Sequence, residues 1–292
     1  MQNHRKRKKL DQPHSSGAKP TKPSIEIGNE PFPNHPRPTL DDCRAVRDDL
    51  LALHGFPPEF AKYRRKTPTD DLLPAENGCG VSKVESLEGD EGKESVLDGL
   101  VRTVLSQNTT EVNSERAFAN LKSAFPAWED VLEADSKCIE NAIRCGGLAP
   151  TKASCIKNIM KSLLEKRGKL CLEYLRDLSV GEVKAELSHF KGIGPKTVAC
   201  VLMFHLQQDD FPVDTHIFEI SKTLGWIPIV ADRNKAYLHL NQRIPDELKF
   251  DLNCLMYTHG KVCRKCYQKG GIKIKKGCHD KSCPLLHYGK NS

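Results

Sequence analysis

No stretch of the 292-residue sequence stays apolar for long. The longest strongly apolar run, residues 198–204, falls far short of the roughly 20 residues that a membrane-spanning helix needs. Residues 1–30 are polar and charged, with no apolar core of the kind a secretory signal carries. No segment alternates polar and apolar residues with period two between turn signals, so a sheet has no support. No unit repeats at a fixed period. A soluble intracellular chain is expected, in which the 12 cysteines read as reduced thiols or metal ligands and not as a disulfide framework.

Basic residues outnumber acidic ones by 45 to 38, a net charge of +7. The excess is confined to two patches. Residues 1–24 hold seven basic residues against Asp11, and residues 261–281 hold eight against Asp280, so the rest of the chain is acidic. Two such patches favour a polyanionic partner. Residues 1–40, rich in Pro, Lys, Ser and Asn, predict a disordered basic tail. Within it, Arg5-Lys6-Arg7-Lys8-Lys9 fits either a nuclear-import signal or a nucleic-acid tether. Residues 66–94, with Glu85, Glu88, Asp90, Glu91 and Glu94, predict a flexible acidic insertion.

Helical periodicity dominates the remainder. Residues 41–54 form one amphipathic segment, stopped by Gly55 and Pro57-Pro58. From Ser95 onward, Val96, Leu97, Leu100, Val101, Val104 and Leu105 make a continuous stripe. Residues 110–125, 136–144, 151–166, 181–190, 196–206, 215–225, 232–241 and 246–259 repeat that pattern between short breaks containing Gly, Pro or Asp. An all-α fold is predicted.

One break stands apart. Gly192-Ile193-Gly194-Pro195-Lys196-Thr197 joins two helical stretches through a tight Gly-x-Gly turn, a helix-hairpin-helix signature. Its glycines let a partner approach the backbone, and the amides opening the next helix carry partial positive charge suited to phosphate. Eighteen residues after Lys196, Val213-Asp214-Thr215-His216 opens another helix. An amine nucleophile must be neutral, and a helix N-terminus disfavours the ammonium form. A fixed carboxylate such as that of Asp214 stabilises positive charge that develops beside it.

Together these two motifs resemble the hairpin and Gly-Pro-Asp signature of the endonuclease III family of DNA glycosylases. The resemblance covers about residues 95–263. It implies Lys196 as nucleophile and Asp214 as its essential partner, with Gly192, Gly194 and Thr197 of the hairpin gripping DNA. Leu105-Ser106-Gln107-Asn108-Thr109-Thr110 resembles the family segment whose glutamine, here Gln107, fills the gap left by an extruded base. The loop around Gly147-Leu148-Ala149-Pro150 is similar to the one whose leucine, here Leu148, wedges into the opposite strand; such insertions offset the unstacking cost of base flipping. Glu219 stands where many family members carry a basic residue.

Cys263, Cys266, Cys278 and Cys283 are spaced C-x2-C-x11-C-x4-C, a grouping that holds zinc or an iron–sulfur cluster. The resemblance implies a four-iron cluster at this point of the chain, although the family spacing is usually x6, x2, x5. That difference leaves zinc or an empty site open. Lys269, Lys273, Lys275 and Lys276 place much of the second basic patch inside the same loop. Cys43, Cys79, Cys138, Cys145, Cys155, Cys171, Cys200 and Cys254 lack ligand spacing, and most are expected to be small buried residues.

The expected architecture has two lobes. Residues 95–210 form a helical lobe bearing the hairpin. Residues 41–65 join 211–283, with the cysteine group, in a second lobe, and 284–292 form a tail. The implied function is base-excision repair of duplex DNA carrying a damaged base, by a monomeric nuclear glycosylase whose Lys196 adds AP lyase activity by β-elimination. The sequence leaves two rivals: a non-catalytic helix-hairpin-helix DNA-binding module, and a glycosylase for another modified or mismatched base.

Overall fold

The computed structural model describes residues 30–65, 94–263, 265–266 and 283–291, and every regular element among them is a helix. Twelve α-helices follow in order among these residues: α1 (Leu40–His54), α2 (Pro58–Ala61), α3 (Val96–Leu105), α4 (Glu111–Ala124), α5 (Trp128–Glu133), α6 (Ser136–Ala142), α7 (Ala149–Arg167), α8 (Val180–Ser188), α9 (Pro195–Cys200), α10 (Thr215–Thr223), α11 (Arg233–Arg243) and α12 (Asp246–Val262). Their starts are written locally in the sequence. Thr39, Ser95, Thr110, Asp135, Ser179, Asp214 and Asp232 each cap a helix by accepting a backbone N–H into the side-chain oxygen.

Two hydrophobic cores form among the described residues. The first draws only on residues between Val96 and Leu206, centred on α3, whose Val96, Leu97, Leu100, Val101, Val104 and Leu105 are all buried. α3 packs on α4, α7 and α9, and each fully buried Val or Leu contributes roughly 1.5–3 kcal/mol relative to exposure. The second core joins Cys43, Val46 and Leu50 of α1 to residues from Phe211 to Leu285. Here α12 is central, packing on both α1 and α10.

Between the lobes the chain does not simply continue α9. Residues Val201–His205 widen into a π-helical turn, in which Leu206 N–H donates to Val201 O at 3.0 Å. Asp210, almost wholly buried, then clasps the lobes together: Lys184 of α8 lies 2.6 Å from its carboxylate and the Tyr237 hydroxyl of α11 donates to it at 2.9 Å.

Three boundaries differ from the sequence expectation. Residues 30–39, expected inside the disordered tail, pack on the second lobe. Glu30 accepts from Arg243 Nε at 2.7 Å, Phe32 meets the buried His239 edge-on, and His35 Nε2 hydrogen-bonds with Gly225 O at 2.9 Å. Pro31, Pro33, Pro36 and Pro38 stiffen this stretch, so little chain entropy opposes its docking. Residues Pro284–Asn291, expected as a tail, form a 3-10 helix that buries Leu285 and donates the Tyr288 hydroxyl to Asp49 at 2.7 Å. Glu94, assigned to the acidic insertion, is anchored by Arg102 and His205. α2 and α5, of four and six residues, have no separate periodicity in the sequence.

Candidate active site at the lobe junction

α8 ends at Ser188 and α9 starts at Pro195, with Gly194 as its N-cap. Gly192 has φ +96°, and a Cβ there would meet Cys155 Sγ at 2.8 Å, so glycine is required twice over. Gly194 has extended backbone and open space where a Cβ would lie. That face of the turn is accessible to a partner.

Lys196, exposed, and Asp214, half-buried, line one cavity of about 270 Å³ where the lobes meet. Each comes from a different lobe. Asp214 caps α10 through one oxygen, accepting from Ile217 N–H at 2.8 Å. Asn253 of α12 donates to Pro212 O at 2.9 Å, which fixes the strand of chain leading into Asp214. Cys200, one turn beyond Lys196, also lines the cavity. Its thiol is pushed up to about 11, chiefly by burial, while Lys196 pulls it down and Asp214 pushes it up. Both charges are therefore felt at the same spot. Phe60 stacks on Phe204 at 5.6 Å and meets Tyr257 edge-on at 5.9 Å, and these three with Tyr63 give the cavity its aromatic wall.

Gln107 donates its amide to Thr197 Oγ1 at 3.0 Å, which ties the end of α3 to the start of α9. Thr197 is buried by that role, and its side chain faces the protein. Leu148 is no core leucine: it is 54% exposed, in left-handed backbone (φ 51°) directly after Gly147 (φ 69°). Such a conformation costs an L-residue roughly 1–2 kcal/mol, and it projects an apolar side chain into solvent.

One buried lysine serves both segments. Lys152 Nζ donates to Leu105 O at 2.7 Å and to Gly146 O at 2.8 Å, each two residues before Gln107 and Leu148 respectively. Burial holds its ammonium below the ordinary lysine range. Lys152→Met is expected to strand two carbonyls and lower unfolding stability by about 1–3 kcal/mol. Urea denaturation checks this, and an unchanged midpoint would show that the carbonyls find other donors.

Away from the cavity, His259 Nε2 and the sulfurs of Cys263, Cys266 and Cys283 converge, all buried, with donor atoms within 4.8 Å of one another. Three thiols so close cannot all ionise without a cation: Cys263 is pulled down to about 3, chiefly by the Cys266 side chain, while Cys266 is pushed up. Cys278, Cys79 and the lysines at 269, 273, 275 and 276 lie outside the described residues. Of the other cysteines described, Cys43, Cys155 and Cys254 are buried, Cys145, Cys171 and Cys200 are half-buried and Cys138 is exposed. Gly260 lets α12 close on α10, since a Cβ there would lie 2.4 Å from His216 Cβ.

A profile of the HhH-GPD superfamily of base excision DNA repair proteins matches residues 101–246. An Arabidopsis thaliana protein, named provisionally as a DNA glycosylase, is 59% identical over 99% of this chain and 98% of its own length. The chain belongs to the HhH-GPD superfamily. Within the superfamily, endonuclease III of Sulfolobus acidocaldarius is 28% identical over 59% of this chain and 79% of its own. The DNA glycosylase/AP lyase ROS1 of Arabidopsis thaliana is 29% identical over 49% of this chain, a match that spans only 12% of ROS1. A solved non-covalent endonuclease III–DNA complex shares the fold, with a TM-score of 0.60 at 21% identity over 87% of this chain and 97% of that one.

The span matched by the HhH-GPD profile contains Gln107, Leu148, the hairpin and Asp214, and it stops before the cysteine group that begins at Cys263. Sequence reasoning missed the aromatic wall and His259. Phe60, Phe204 and Tyr257 are too far apart in sequence for any local signal. His259 had one: it lies on the last turn of α12, four residues before Cys263, whose backbone N–H donates to the His259 carbonyl at 2.7 Å just past the helix end.

Proposed function

We propose that this HhH-GPD protein is a DNA glycosylase with AP lyase activity, acting on duplex DNA that carries a damaged or modified base. The observation that carries the reading is that Lys196 and Asp214, from opposite lobes, face a single aromatic-walled cavity. In this reading the flipped nucleotide enters that cavity, its base held against Phe60, Phe204 and Tyr257. Leu148 enters the stack from outside while Gln107 fills the vacated position. The uncharged Lys196 amine adds to C1′ as the glycosidic bond breaks, and the base leaves with the bonding pair and takes up a proton. Asp214 stabilises the positive charge that develops on the sugar. Ring opening gives a Schiff base to Lys196, loss of the C2′ proton expels the 3′ phosphate, and hydrolysis restores the lysine. The names of the Arabidopsis and archaeal relatives support the reaction class. The basic run Arg5–Lys9 supports nuclear delivery, and with a site complete in one chain the protein acts as a monomer.

The test is a panel of duplexes, each carrying one lesion, incubated with the full chain and borohydride. At least one should give a covalent protein–DNA adduct together with base release. Duplex binding without release or adduct across the panel would instead assign a non-catalytic binding module.

A further inference from the structure

We propose that His259, Cys263, Cys266 and Cys283 bind one zinc ion, in place of the four-iron cluster that resemblance to endonuclease III implies. Around a single tetrahedral ion with Zn–S near 2.3 Å and Zn–N near 2.0 Å, neighbouring donors sit about 3.5–3.8 Å apart. Here the Cys266 and Cys283 sulfurs are 3.2 Å apart, and His259 Nε2 lies 3.5 and 3.4 Å from them. In a four-iron cluster each thiolate takes a separate iron. The irons are themselves separated, so the sulfurs stand wider apart than around one ion, and the tight grouping does not fit that cofactor. Three thiolates and one imidazole are also a complete ligand set for a closed structural zinc site.

The surroundings of His259 point the same way. Its Nδ1 lies 2.9 Å from His54 Nε2 on α1, so that Nε2 faces the sulfurs while Nδ1 has a partner fixing the ring. A metal-binding histidine is normally oriented in this manner through its other nitrogen. All four donors are buried, so the ion would have no open position and would act by joining the end of α12 to the segment at Cys283 and to α1. The inference concerns the second lobe alone and does not depend on the glycosylase reading.

Full-length protein, produced with both iron and zinc supplied, is expected to carry one zinc per chain, no acid-labile sulfide and no visible charge-transfer absorption. Four irons with sulfide, or a metal-free folded chain, would overturn the proposal. Two variants separate the ligand sets. His259→Ala should lose zinc, and Cys278→Ser should keep it; the opposite pattern is what a four-cysteine site requires and would refute the assignment. Should His259→Ala fail to fold, His54→Gln gives the second readout. Zinc transfer to a chelator should then become about 10–100-fold more favourable, and unchanged retention would remove His54, and with it the oriented His259, from the site.

Discussion

Lys196→Gln protein is expected to bind lesion-bearing duplex with near-unchanged affinity, to form no borohydride-trapped adduct and to nick no strand above background. Lys196 is exposed at the mouth of the cavity and makes no contribution to either core, so its removal should leave folding intact. Glutamine keeps much of the length and polarity but offers no nucleophilic amine. Gel-shift titration and trapping on the same duplex separate the two capacities. An adduct that persists would transfer the nucleophile's role to another amine.

Asp214→Asn should slow base release by about 100- to 1000-fold, the scale seen when one group stabilising transition-state charge is removed. The α10 cap should survive, since asparagine accepts the Ile217 N–H as well as aspartate does. Thermal stability is therefore expected to move little while the single-turnover rate falls steeply. Wild-type excision by this variant would reduce Asp214 to a structural cap. A fall in stability matching the fall in rate would assign it the same structural role.

Much of the fold could be read in advance because its information is local. α3, α4, α7 and α12 repeat apolar residues at helical spacing, and capping residues such as Ser95, Thr110 and Asp214 mark where the repeats begin. The places of Lys196 in the first turn of α9 and of Asp214 as the cap of α10 were legible for the same reason, while the roles proposed for them come from the family resemblance. Docking of residues 30–39 was not legible. It rests on Glu30 meeting Arg243 and Phe32 meeting His239, pairings separated by some two hundred residues. The aromatic wall was hidden likewise, because Phe60 reads as part of a loop and Tyr257 as one more position on a long helix. For His259 the obstacle was different: cysteine spacing alone passes over a histidine on the last turn of α12, one turn before Cys263.

The two cores meet without merging, and Phe60, Tyr63, Phe204 and Tyr257 belong to neither. Substitutions in that wall therefore reshape what the cavity admits without opening a void in either lobe, and their effects should combine nearly independently of changes inside the cores. Lys196 and Asp214 are anchored separately, each by its own helix. Under the proposed function, the base that is admitted would therefore be set by a handful of seam residues, apart from those that hold the fold and those proposed to break the bond.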